Sequence, residues 1–191
     1  NLFGANERLT LALEAQLEEQ EFDLRFSKPQ FLVAGQFLEL RLNSFRAEDS
    51  PFDATGATAQ AGLRREIGAH LSLGAAGLAE FAVIDQRAGT AEALLFGVPL
   101  YVAWNTTDDL LNATTGERAR LTLTPLTGSY DGEATTFLQV EGTGAAFHDL
   151  TGAGDYVLAA RGRIGTTVLG DLGDVPETRR FYSGGGGSVR G

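Results

Sequence analysis

Apolar and polar residues alternate with a period of two along most of this chain, a pattern that only an extended backbone accommodates. Leu9, Leu11, Leu13, Ala15 and Leu17 alternate with Arg8, Thr10, Ala12, Glu14, Gln16 and Glu18. Successive side chains of a strand point to opposite faces, so the apolar set lines one face and the polar set the other. On a helix the same leucines would be spread around the cylinder. The next segment sets Phe22, Leu24 and Phe26 against Asp23, Arg25 and Ser27, and a third sets Leu38, Leu40 and Leu42 against Glu39, Arg41 and Asn43. Weaker alternation recurs at 57–64, 71–73, 94–104, 118–124, 138–141 and 156–164. The spacing predicts about nine strands in a regular antiparallel array. Connections around 27–35, 65–69, 106–116 and 148–155 carry Gly, Pro, Asn or Asp, whereas those around 46–53, 85–90 and 129–133 are more acidic.

The polar faces carry opposite charges at unusual density: Glu14, Asp23, Arg25, Glu39, Arg41, Arg64, Arg120, Glu141, Arg161 and Arg163. Two architectures fit such strands. A transmembrane barrel turns the apolar face to lipid and these ten charges to a polar lumen, and its sheet must close because lipid offers no partner for an unpaired backbone group. Phe45, Phe52, Phe81, Trp104, Tyr130 and Phe147, near strand ends, would then form the aromatic girdles. The alternative is a soluble β-sandwich or small-barrel binding module, with Leu9, Leu11 and Leu13 in a closed core and Arg41 and Glu141 facing solvent. Mean hydropathy, at -0.06, does not separate them, because alternation averages an apolar face with an ionic one. A membrane-spanning helix is excluded more directly. The longest uncharged run, Ala93–Thr107, is shorter than the roughly 20 residues needed and contains Gly97 and Pro99.

Composition removes several functions. Fifteen basic residues against 25 acidic ones give a net charge of -10, which argues against nucleic acid as a partner. Cysteine is absent, so there is neither a disulfide framework nor a thiolate metal site. His70 and His148 lie far apart without ligand-spaced neighbours, and Gly184–Gly187 is not followed by the Lys-Ser/Thr of a phosphate loop. Asp108-Asp109 reads as a hydrogen-bonded turn rather than a calcium site. We therefore expect no catalysis, metal or cofactor. Alternation stops beyond Gly170, and methionine is absent, which suggests a segment cut from a longer chain.

The irregular tail contains Arg179-Arg180-Phe181-Tyr182-Ser183-Gly184-Gly185-Gly186-Gly187-Ser188-Val189-Arg190-Gly191. This resembles the lid-loop signature of the bacterial surface antigen superfamily, the outer-membrane assembly barrels of the BamA and TamA type, and is closest to the TamA translocation-and-assembly branch. Val189, Arg190 and Gly191 match the first three positions of a Val/Ile-Arg-Gly-aromatic motif. Asn1-Leu2-Phe3-Gly4 resembles the turn after the family's second strand, and Asp108-Asp109-Leu110-Leu111 with Gly116 resembles a periplasmic turn.

The resemblance implies an all-β, antiparallel transmembrane β-barrel, of which residues 1–170 supply about nine of sixteen strands, the third to the eleventh. Residues 171–191 would be the lid loop. It implies that the loop folds back into the lumen and that Arg190 pairs with a carboxylate on a later strand. Arg179, Arg180, Phe181, Tyr182, Gly184, Gly185, Gly186 and Gly187 would support that loop. The implied setting is the outer membrane of a Gram-negative bacterium. Outer-membrane lipid and client outer-membrane proteins, including autotransporters, would be the partners, with room for an inner-membrane or periplasmic partner subunit. As a piece of such a barrel, the chain is expected to be inactive alone.

Overall fold

A computed structural model describes residues 6–15, 19–49, 52–86 and 89–181. They form one antiparallel meander of ten strands: β1 (Arg8–Ala15), β2 (Glu19–Lys28), β3 (Gln36–Asp49), β4 (Phe52–Ile67), β5 (Leu71–Gln86), β6 (Gly89–Gly97), β7 (Leu100–Asn105), β8 (Gly116–Tyr130), β9 (Glu133–Asp149) and β10 (Val157–Val168). Strands β1 and β10 are the edges of the sheet. Strands β6 and β7 occupy a single position between β5 and β8, so the ten fill nine places in the wall. The sequence pattern predicts one strand over 94–104. Pro99 has no N–H for a ladder and splits it in two. Hydrogen bonds bridge the break, from Val98 N–H to the Pro125 carbonyl and from Ala76 N–H to the Pro99 carbonyl.

The register sorts residues onto two faces, because paired residues share a face. One row runs Asp23, Asn43, Thr58, Glu80, Leu95, Gly128 and Thr135 across the sheet. The next runs Leu24, Leu42, Ala59, Ala79, Phe96, Thr127 and Thr136 on the opposite face. That second face is the apolar belt, and it is uncovered: Leu9, Leu11 and Leu13 are 54%, 58% and 71% exposed, and Phe81, Phe96 and Trp104 are close to half exposed. A soluble sandwich would hide these leucines. The architecture is that of an antiparallel transmembrane barrel wall, with its apolar face outward. Strands of 14 to 17 residues at β3, β4, β5, β8 and β9 exceed the roughly 9–11 that a tilted strand needs to cross hydrocarbon.

Two corrections to the sequence reading concern the inner face. Phe45, Tyr130 and Phe147 do not form an outer girdle. Phe45 and Tyr130 pack inward against Ala54, Ala82, Ile84 and Ala93, and the Phe147 ring lies 4.9 Å beneath the Arg118 guanidinium. Phe81 and Trp104 do face outward, and the Phe52 side chain lies outside the described residues. Nor is the inner face ionic throughout. Leu95, Leu126, Phe137 and Val175 form a fully buried apolar cluster, with Leu78 against it. Charged rows occupy the other part of the lumen. Period-two reading separates the faces but does not report how polarity changes along a strand.

Candidate functional site

The apolar part of the lumen is built to hold a segment that follows β10. Residues 171–181 leave the sheet and turn back across its inner face through two short 3₁₀ turns, Leu172–Asp174 and Glu177–Arg179. Between them Val175 and Pro176 are completely buried. Val175 fills the space between Leu95 of β6, Leu126 of β8 and Phe137 of β9. These wall positions are apolar where neighbouring inner positions are polar, because here the lumen is filled by protein instead of water.

Polar contacts surround that plug. The Thr135 hydroxyl donates to the Asp174 carbonyl (2.8 Å). Tyr130 donates its phenolic hydrogen to Glu177 (2.6 Å), while Gln86 donates to the Tyr130 oxygen (3.2 Å). Arg180 folds back on its own turn, with Nη2 3.0 Å from Glu177 and Nε donating to the Val175 carbonyl (2.8 Å). Glu177 is buried but has both a cation and a hydroxyl as partners, which is the condition under which a buried carboxylate is tolerated.

Arg179 is pinned at both ends. Its guanidinium meets Glu80 of β5 as a fork, with Nε 3.1 Å from Oε1 and Nη2 against Oε2. Its carbonyl accepts a hydrogen bond from Gln139 of β9 (2.5 Å). Glu80 is only 5% exposed and also accepts from the Thr58 hydroxyl (3.3 Å). A planar fork matches both carboxylate oxygens, a geometry that lysine cannot reproduce. Phe181 then lies across Gly165 of β10, whose missing side chain makes room for it: a Cβ there would collide with the ring.

Below the plug the inner wall is ionic. Asp23 accepts from Arg25 (2.5 Å) and from Arg41 (2.6 Å). Arg64 bridges Glu39 (2.8 Å) and Glu66 (2.7 Å) while stacking 3.8 Å over Phe37. Arg120 stacks 3.7 Å over Tyr101, whose ring lies in the space left by Gly74. Arg163 pairs with Glu141, and Arg161 lies on the same face of β10 in the open. Glu14 occupies an inner register position opposite Glu21, and its side chain lies outside the described residues.

Of the tail residues singled out from sequence, Arg179, Arg180 and Phe181 meet the wall or their own turn as above. Tyr182, Gly184, Gly185, Gly186, Gly187, Val189, Arg190 and Gly191 lie outside the described residues. Sequence reasoning misses Glu80, Tyr130, Gln139 and Glu177. One signal is available: Glu80 is the lone charge between Leu71 and Ile84, a carboxylate that such a setting obliges to find a partner.

At the other end of the barrel, the long turn between β7 and β8 uses both its aspartates as caps. Asp108 accepts from Thr114 N–H (2.9 Å), the Thr114 hydroxyl (2.6 Å) and Thr115 N–H (3.0 Å). The Thr114 hydroxyl, then the Thr115 amide, hold its carboxyl down to about 2. Asp109 accepts from Leu111 N–H and Asn112 N–H (2.7 and 2.8 Å), and the Asn112 amide, then the Leu111 amide, keep its carboxyl low as well. His70 is likewise engaged locally, its Nδ1 3.0 Å from the Asn105 carbonyl and its ring tilted against Trp104.

The family model described as the Omp85 superfamily domain matches residues 1–191. No curated protein matches the sequence. Among solved structures, BamA from Haemophilus ducreyi lacking POTRA domains 1–3 aligns with a TM-score of 0.76 at 15% identity. The alignment covers 98% of this chain and 40% of that one, so this chain spans well under half of that protein's length. At this identity the likeness is one of fold.

Proposed function

The chain belongs to the Omp85 superfamily, and from that premise we propose that it is the wall-and-lid segment of an outer-membrane assembly or translocation factor of the TamA kind. Residues 1–170 are assigned to the barrel wall and 171–191 to the lid loop. The setting is the outer membrane of a Gram-negative bacterium. The clients are other outer-membrane β-barrel proteins and autotransporters, served together with a periplasmic or inner-membrane partner subunit. The role is mechanical and non-catalytic: the wall presents an apolar belt to lipid, and the lid occupies the lumen. Arg179, Arg180 and Phe181 serve as lid support, and the tip motif Val189-Arg190-Gly191 is assigned to the same loop.

One observation carries this reading. A segment that follows β10 folds back and buries Val175 against Leu95, Leu126 and Phe137, with Pro176 buried next to it, while the outer face of the same sheet stays apolar and uncovered. A lumen plugged by its own chain suits a protein that must keep the membrane sealed while handling other proteins.

Depletion in the native host of the protein carrying this chain tests the proposal. The folded, heat-modifiable fraction of client barrels and the surface display of autotransporter passengers should fall, and a copy lacking 171–191 should restore neither. Unchanged client levels, or recovery of the protein in the soluble fraction, would overturn it.

A further inference from the structure

We propose that Glu80 is the positioning residue that holds the lid at its root, and that the Glu80–Arg179 pair decides whether the lumen is plugged. The functional consequence rests on the wall-and-lid reading; the anchoring itself does not.

The segment after β10 has few attachments to the wall. Among the described residues, 174–180 are held to the wall by the burial of Val175 in the Leu95, Leu126 and Phe137 cluster, with Pro176 buried next to it, and by side-chain hydrogen bonds from Thr135, Tyr130 and Gln139. Arg180 binds its own turn and so stiffens the segment without tying it to the wall. Glu80–Arg179 is the ion pair that crosses from segment to wall among the described residues, and it joins residues 99 positions apart in sequence. Because Arg179 also accepts from Gln139 through its carbonyl, the residue links β5 to β9 across the inner face.

Charge makes the link decisive. Glu80 stands on the boundary of the apolar cluster, directly paired in register with Leu95. With the lid in place its charge is answered by a two-pronged guanidinium at low exposure on both sides, 5% for Glu80 and 19% for Arg179. Removing one partner of such a pair leaves a lone buried charge, a large penalty, whereas removing both together is close to neutral. Neutralising Glu80 therefore leaves Arg179 with a reason to move to water, and the segment moves with it. The wall retains the same shape, because glutamine keeps the volume and the Thr58 hydrogen bond. Once the root lifts, the cluster of Leu95, Leu126 and Phe137 is bared to the lumen, and the upper barrel opens.

The test reads lid position directly. This chain has no cysteine, so Val175→Cys in a single-cysteine form of the full-length protein reports its own burial through reaction with a hydrophilic maleimide in lipid nanodiscs. With Glu80 intact the thiol should be protected. In Glu80→Gln and in Arg179→Met, labelling should accelerate by roughly 100-fold or more, the shift in opening equilibrium expected from an unpaired buried charge. The double variant should label no faster than either single one, because the residues act as a couple. Equal protection in Glu80→Gln and the parent overturns the proposal, and so do independent effects that multiply in the double variant. Should Glu80→Gln give no heat-modifiable band, Arg179→Met, which leaves the wall untouched, decides alone: a protected thiol at position 175 overturns, rapid labelling supports. Client assembly in cells is scored separately, so a failure of the assembly reading leaves this result intact.

Discussion

Leu42→Arg tests the assignment of the two faces at a single position. Leu42 is midway along the 14-residue β3, is 49% exposed, and lies in the row Leu24, Leu42, Ala59 and Ala79 of the outer face. If that face meets hydrocarbon, an arginine near the bilayer midplane costs about 2–4 kcal/mol. At about 1.4 kcal/mol per tenfold, this is roughly a 30-fold to 700-fold loss in the folding equilibrium. If the face met water, replacing a half-exposed leucine would fall within about 0.5 kcal/mol of the parent. Ala12→Arg is the control. It places the same charge on the inner face of β1, opposite Asp23, where the lumen already carries arginines. Urea titration of the full-length protein in lipid vesicles, followed by the heat-modifiable band, measures both variants. The midpoint should fall for Leu42→Arg and stay parental for Ala12→Arg. Equal midpoints for the two, or the reverse order, would refute the assignment of faces.

Three further outcomes follow from the same geometry. Phe137→Ala removes a fully buried ring from between Leu95, Leu126 and Val175, and should cost about 3–5 kcal/mol in the same titration while increasing reagent access to position 175. Arg163→Ala breaks a pair with Glu141 whose guanidinium is mostly exposed, and should change stability by at most about 1 kcal/mol, read as an unshifted urea midpoint. At the β7–β8 turn, the Asp108 carboxyl is held below its ordinary value of 3.8, down to about 2. A group lowered in the folded state stabilises fully above its ordinary pKa and loses that effect as pH falls through the folded value. Protection of the Thr114 and Thr115 amides against hydrogen exchange, corrected for intrinsic rates, should therefore decline as pH falls from the ordinary value of 3.8 through about 2. In Asp108→Ala it should be low at every pH.

Much of the wall is legible in the sequence, and the places where it is not share a cause. The alternation at Leu9–Leu13, Phe22–Phe26 and Leu38–Leu42 has strong contrast between neighbours, and each stretch lies within a strand of the sheet. In β5 only Leu71 and Leu73 stand out, yet the strand runs to Gln86. Its middle, Gly74-Ala75-Ala76-Gly77, has little hydrophobic contrast between faces, and its far end, Ala82 and Ile84, is apolar on the inner face as well. A period-two signal disappears wherever both faces are apolar. The same condition misplaces Phe45 and Tyr130, whose rings serve an inner apolar cluster that the charge pattern of the polar faces does not announce.

The site is less legible because its specificity lies in register, and register is a relation between strands. Arg179 is a candidate from sequence, but 25 acidic residues offer it partners. The choice of Glu80 follows from three facts that emerge only on folding. Pairing of β5 with β4 and β6 puts Glu80 beside Thr58 and Leu95 on the inner face. The turn at Glu177–Arg179 starts after Val175 has found the apolar pocket, which sets how far along the wall the guanidinium reaches. And other inner carboxylates are already occupied, Asp23 by Arg25 and Arg41, and Glu39 by Arg64. The ionic rows below the plug thus do more than line a polar lumen: by satisfying one another, they leave Glu80 as the carboxylate whose cation the segment after β10 supplies. A segment docked one strand over would leave the buried Glu80 without its cation, and that cost selects the register in which Arg179 meets it.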